Sequence, residues 1–357
     1  MKFQASILTC LCAAIFAIPA HAAENENGFD IELGGYMKVY GNYTDQDSAS
    51  AGPGVNKTGI LRSSEIHFNA EKTLENGLKI GVHVEGQADA GDDFDTDETF
   101  LYASGDWGQI NFGGKDGAAF LLQTAAPSAD RDIDGVRQQI VPINTTALGV
   151  PVGETDYDHN ISAKNDKITY LTPLYSGLQA GVSYTPELDA SRGNNGNSID
   201  GDDAAPTSDI WDMALRYQST IEDVKITTGA GYTHATAETG GAEDRDAWNA
   251  GLVLGYDAFS IGVSYQVDDE GSEDDDVSYL AVGGNYKIDK LTLGLSYYHK
   301  EDDVGTEIDT DRYTGGLSYT LSPGVQFRSS MSQYKIDVAG GEEFDATSAV
   351  VGILVDF

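Results

Sequence analysis

The 357-residue chain carries 58 acidic against 21 basic side chains, a formal charge of −37. So acidic a polypeptide is a poor partner for DNA, RNA or anionic lipid headgroups and a good one for divalent cations. Glycine is abundant (42) and proline scarce (9), and no segment beyond the N-terminus approaches 18 consecutive apolar residues, so any membrane crossing must be made by strands.

At the N-terminus, Lys2, an apolar run from Phe3 to Pro19 and the small-residue site Ala20-His21-Ala22 form the three parts of a secretory signal peptide, expected over 1–22. Cys10 and Cys12 sit inside the apolar core rather than at its end, which argues against lipoprotein processing. Both leave with the signal. The mature chain, 23–357, is then expected to have no disulfide, thiolate metal site or cysteine nucleophile.

From Phe29 onward the dominant pattern is strict alternation, the mark of strands with two unlike faces. Phe259, Ile261, Val263, Tyr265 and Val267 alternate with Ser260, Gly262, Ser264 and Gln266. In the last segment Thr347, Ala349, Val351, Ile353, Val355 and Phe357 share one face. The pattern predicts sixteen strands, over about 29–44, 59–74, 78–90, 96–104, 109–114, 166–173, 178–185, 209–219, 224–234, 246–256, 259–267, 277–287, 291–300, 310–320, 325–335 and 346–357. Fourteen or eighteen strands are also compatible with it.

The connections alternate as well. Tight ones such as Glu75-Asn76-Gly77, Gly105-Asp106-Trp107-Gly108 and Asp257-Ala258 take turns with long acidic ones such as 45–58, 186–208 and 268–276. An antiparallel meander with short turns at one end and long loops at the other has the form of an outer-membrane barrel. In a soluble sandwich the inward face carries large apolar side chains, whereas here the polar face is rich in Gly, Ser, Thr and Gln. Aromatics gather at strand ends on the apolar parity (Tyr184, Tyr217, Tyr232, Tyr256, Tyr265, Tyr297, Tyr319, Phe357), as interfacial girdles require.

Several motifs point further. Glu71-Lys72-Thr73-Leu74-Glu75-Asn76-Gly77-Leu78-Lys79 stands at the first tight turn, and Gly105-Asp106-Trp107-Gly108 leads into Phe112-Gly113-Gly114. Tyr170-Leu171-Thr172-Pro173 precedes Ser176-Gly177-Leu178, and the chain ends on Phe357 in an alternating strand. In this order, over 29–357, they resemble the general porins of Gram-negative bacteria. The resemblance implies an all-β transmembrane antiparallel barrel of sixteen strands with a long third loop folded into the lumen. It also implies a homotrimer in the outer membrane, contact with lipid and lipopolysaccharide, and recognition of Phe357 by the barrel assembly machinery. The expected activity is passive diffusion of ions and small hydrophilic solutes.

The segment 115–165 lacks sustained alternation and is the expected constriction loop. Its acidic residues Asp116, Asp130, Asp132, Asp134 and Glu154 would face a wall whose mid-strand charges are Lys38, Glu65, His67, His83, Arg216 and Arg328. Glu65 stands where the resemblance leads one to expect a basic residue, so the pore is expected to prefer cations. Asp130-Arg131-Asp132-Ile133-Asp134-Gly135 opens like a calcium-binding loop, but Val141 occupies the closing position where a Glu is needed. No cofactor is required, and a looser Ca²⁺ site on Asp130, Asp132 and Asp134 is the open alternative. None of His67, His83, His159, His234 or His299 lies in a Gly-x-Ser-x-Gly setting, so no enzyme is expected. The rival to transport is a barrel that presents its acidic loops as an adhesin or receptor surface.

Overall fold

The computed structural model describes residues 23–24, 27–47, 54–88, 94–148, 155, 157–188, 207–238, 241–341 and 343–357. The signal segment 1–22 and the loop residue Glu154 lie outside the described residues. Sixteen long strands follow in order: β1 Asp30–Gln46, β2 Thr58–Thr73, β3 Lys79–Gln87, β4 Asp95–Gly105, β5 Gly108–Gly114, β6 Asp166–Leu171, β7 Leu178–Glu187 and β8 Thr207–Ile221. They continue as β9 Val224–Ala237, β10 Arg245–Tyr256, β11 Phe259–Asp268, β12 Val277–Ile288, β13 Leu291–Asp302, β14 Ile308–Ser322, β15 Val325–Val338 and β16 Phe344–Asp356. Each pairs antiparallel with its neighbours, and β16 returns to β1 (Ala346 opposite Gln46, Asp356 opposite Tyr36), so the sheet closes. Phe357 completes the seam: its amide donates to the Gly35 carbonyl at 3.0 Å, and the Gly35 amide donates back at 2.9 Å. The expected sixteen-stranded barrel is the observed one, with strand limits displaced by only a few residues.

Closure leaves no open edge, so the backbone satisfies its own hydrogen bonds without water. The turns between strands are built for sharp reversal. Between β2 and β3, Gly77 takes φ +83°, the Leu74 amide bonds the Leu78 carbonyl at 2.8 Å, and Asn76 accepts from the Leu78 amide at 3.2 Å. Asp257 and Asp289 hold the same left-handed backbone region at φ +50° and +51°, which Asp tolerates better than most residues.

The two faces are inverted relative to a soluble protein. Ile60 is 73% exposed and Leu295 72%, whereas Lys38 on the other face is 5% exposed. An apolar surface running round the cylinder is stable only against a non-aqueous medium. Aromatic rows bound it. Near the long loops Tyr184 meets Trp211 (ring centroids 4.8 Å apart), Trp248 meets Tyr265 (5.5 Å) and Tyr297 meets Tyr313 (4.9 Å). Near the tight turns Phe259 meets Tyr286 at 4.2 Å. Along β11, Phe259 and Tyr265 lie about 20 Å apart at the strand rise, close to the height of an apolar membrane band.

Candidate functional site: the lumen wall and the third loop

Between β5 and β6 the described chain forms only short helical turns: α1 Ala118–Leu121, α2 Arg131–Asp134 and a 3₁₀ turn at Thr146–Leu148. Its path follows from the glycines of the inward face. An added Cβ on Gly181 of β7 would meet the Ala118 methyl at 3.0 Å, and one on Gly231 of β9 would meet Ala119 at 3.2 Å. Gly251 of β10 lies against the Thr124 carbonyl, and Gly283 of β12 against that of Pro127. On Gly262 of β11 a Cβ would lie 2.9 Å from the Pro127 ring, and on Gly294 of β13 2.5 Å from the Ala129 amide. Successive loop residues thus meet successive strands. The small inward residues of β7 and β9–β13 are a track for loop backbone, not simply open wet wall.

Side chains fix the loop where the track ends. The Asp132 carboxylate is bonded by Lys38 Nζ at 2.9 Å and by Arg328. The same Arg328 nitrogen reaches Asp130 at 3.0 Å, and the Tyr40 hydroxyl donates to Asp130 at 2.9 Å. Asp134 accepts from the Ser296 hydroxyl at 2.6 Å, while its other oxygen has no donor among the described residues. Beyond α2, Thr44 bonds the Pro142 carbonyl at 2.6 Å, and Gln46 exchanges bonds with Asn144. On the return path, His159 is fully buried, its Nε2 2.7 Å from Thr233 and its Nδ1 2.7 Å from Asn249. Arg312, stacked over Tyr298 at 4.9 Å, donates to the Thr155 carbonyl. Arg216 donates to the Leu121 carbonyl at 3.4 Å and to Gln179 at 3.1 Å.

Asp116 does not face a wall cation. It is bound on both oxygens by Arg137 of the same loop, at 2.9 Å each, and Arg137 also reaches Asp158 at 3.2 Å. The electrostatics follow this pairing. Burial pushes the Asp116 carboxyl up, but Arg137 outweighs it and the net displacement is downward. For Asp132 burial again opposes ionisation, and Lys38 and Arg328 again prevail. Asp134, whose burial is not matched by a bonded cation, is pushed up to about 6. Burial lowers His159 to about 4, so the imidazole is neutral.

The remaining wall residues form a second group on β2–β4, away from the glycine track. His67 Nε2 lies 3.1 Å from Glu65 and 3.8 Å from Glu85. His83 Nε2 lies 2.7 Å from Glu85, and its Nδ1 is 2.5 Å from the Asn69 side-chain oxygen. Among the described residues, the His/Glu groups whose ligand atoms converge are Glu65–His67–Glu85 and His83–Glu85–Glu98; neither includes the loop aspartates. The three aspartates diverge onto Lys38, Arg328, Tyr40 and Ser296, and two of them already share those cations.

Of the eleven site residues expected from sequence, seven meet in two groups: Lys38, Arg328, Asp130 and Asp132 at one seam, and Glu65, His67 and His83 at the other. Alternation did not single out Tyr40, Arg137 or His159. The available signal for Tyr40 was its parity, since it faces inward with Lys38.

The comparisons with known proteins agree on architecture. A family model described as Gram-negative porin matches residues 8–337. Among solved structures, the anion-selective porin from Comamonas acidovorans superposes with a TM-score of 0.62 at 17% identity, covering 92% of this chain and 100% of that one. The OmpT outer-membrane protein of Vibrio cholerae in its trimer form gives 0.62 at 14%, covering 92% and 99%. A doubly substituted mutant of the Rh. blastica porin gives 0.60 at 19%, covering 92% and 100%. No curated protein sequence matches.

Proposed function

This chain belongs to the Gram-negative porins, and on that footing we propose that it works as a homotrimeric, cation-preferring channel for ions and small hydrophilic solutes. The porin family and barrel fold give an outer-membrane, non-enzymatic channel. The preference, the trimer and the export route with its signal peptide are the further steps. One observation carries the preference: a formal charge of −37 that the loop does not account for. Inside, Asp116, Asp130 and Asp132 are matched by Arg137, Arg328 and Lys38. Further acids gather at the end of the long loops, where Asp45, Asp47 and Asp345 line one recess and Lys57 pairs with Asp45 alone of the three. A mouth of one sign concentrates counter-ions and speeds their entry.

The anion-selective relative shares the fold at 17% identity, and selectivity does not transfer at that distance. For the trimer, the Vibrio protein is described in a trimer form, and small outward residues such as Gly41 and Ala103 would let neighbouring barrels approach. Reconstitution in planar bilayers tests the reading. Three equal closing steps are expected, with a reversal potential of cation-selective sign in a KCl gradient. The permeability ratio should fall toward unity as salt rises and the screening length drops from about 8 Å to about 3 Å. Anion selectivity would overturn the preference, and a silent barrel would favour the receptor-surface reading.

A further inference from the structure

We propose that Glu65, His67 and Glu85 form a binding site on the lumen wall for a borderline divalent metal ion such as Zn²⁺, with His83 positioning Glu85. The case starts from strand geometry. Glu65 and His67 share the inward parity of β2, and His67 stands directly opposite Glu85 of β3. His67 and Glu85 are therefore level across the strand pair, with Glu65 one step along the same inward face. Their ligand atoms all lie within 4.8 Å of each other. A tetrahedral ion 2.0–2.2 Å from each ligand holds those ligands about 3.3–3.6 Å apart. The His67 contacts, at 3.1 and 3.8 Å, bracket that separation.

The chemistry of the donors selects the ion. One imidazole with two carboxylates suits Zn²⁺, Ni²⁺ or Cu²⁺, whereas Mg²⁺ and Ca²⁺ prefer oxygen alone. Three protein ligands leave a fourth position for water, as in open zinc sites. His83 supplies the outer support. Its ring lies between the Asn69 side-chain oxygen at 2.5 Å and Glu85 at 2.7 Å, so it fixes the orientation of the carboxylate. The neighbouring triad His83–Glu85–Glu98 is the weaker candidate, because Lys115 Nζ already holds Glu98 at 3.0 Å. Access is not obstructed by the glycine track, which runs along β7 and β9–β13. The site also abuts the loop: the Tyr36 ring packs edge-on against His67 at 6.0 Å, and its hydroxyl reaches Gln139 at 3.3 Å.

Binding is measured on the intact detergent-solubilised barrel, so the result does not depend on whether the barrel conducts. Calorimetry with Zn²⁺ is expected to show one site per chain that excess Mg²⁺ does not compete away, and Co²⁺ is expected to give the absorption of a nitrogen-containing tetrahedral set. Glu65→Gln, His67→Gln and Glu85→Gln should each weaken Zn²⁺ at least about tenfold. His83→Gln should retain the cobalt spectrum while weakening affinity about ten- to hundredfold, the usual effect of removing an outer-shell partner. His234→Gln, which removes a part-buried imidazole beside Asp246 and away from this group, should change nothing. Wild-type affinity in His67→Gln, loss on His234→Gln alone, equal competition by Mg²⁺, or an unaltered aqueous cobalt spectrum would each overturn the assignment.

Discussion

Replacing Arg328 with Met removes the cation that holds two buried loop carboxylates while keeping most of the side chain's volume. In the native arrangement one Arg328 nitrogen bridges Asp130 and Asp132, which are 0% and 3% exposed. After the change Asp132 keeps Lys38, but Asp130 keeps only the Tyr40 hydroxyl and the backbone amide of its own turn. Removing one partner of a buried pair costs about 3–5 kcal/mol because a desolvated charge is left behind. At 1.36 kcal/mol per factor of ten, the undocked loop should become about 10² to 10⁴ times more populated. The assay is single-channel conductance together with the exclusion limit for neutral sugars, which reads width and not charge. Conductance, current noise and limit should all rise. Arg328→Met combined with Asp130→Asn should recover much of the native behaviour, since the stranded carboxylate leaves with its cation while Asp132 keeps Lys38. Unchanged sieving in the single variant would refute the view that this seam pins the loop.

Gly283→Val should also release the loop, by sterics alone. Its side chain would enter the space of the Pro127 carbonyl at an overpacking cost of about 1–3 kcal/mol, read as a wider exclusion limit with unaltered ion preference. Two of the loop groups contribute to the pH response with opposite sign. Asp134, raised to about 6, binds its proton more tightly in the docked state, so its contribution strengthens docking below pH 4 and is lost as pH rises through 6. His159, lowered to about 4, resists protonation when docked, so its contribution is present above pH 6.5 and is lost as pH falls toward 4. Asp134→Asn should therefore leave a loop that loosens on acidification between pH 6.5 and 4, seen as growing current noise. Adding His159→Gln should flatten that response, and a profile unaffected by Asp134→Asn would exclude the carboxyl as a contributor.

The fold was legible because lipid on one side and water on the other force period-two alternation on every strand. The expected 259–267 is observed as Phe259–Asp268, and the expected 277–287 as Val277–Ile288. Parity also gave the direction of Lys38, His67 and Arg328. It did not give the meaning of Gly251 or Gly283, because a small inward residue reads the same whether it faces water or loop backbone. Nor did it bring Asp130 to Arg328, two residues almost two hundred positions apart whose contact depends on the whole cylinder closing. The loop has no periodicity of its own to announce its path, which is set by the wall it crosses.

That division bears on how the channel works. From sequence, the acidic loop looked like the source of the ion preference. In the structure Asp130 and Asp132 are buried against Lys38 and Arg328, and Asp116 against Arg137, so their first effect is on where the loop lies. On the proposed reading, width and charge selection reside in different residues: the seam beneath the loop would set the width, and the carboxylates of the mouth would set the field. Asparagine at Asp130 and Asp132 should alter sieving more than reversal potential, and asparagine at Asp45, Asp47 and Asp345 should do the reverse. A single set of residues that moved both readouts together would mean that the loop acids face the permeating ions after all.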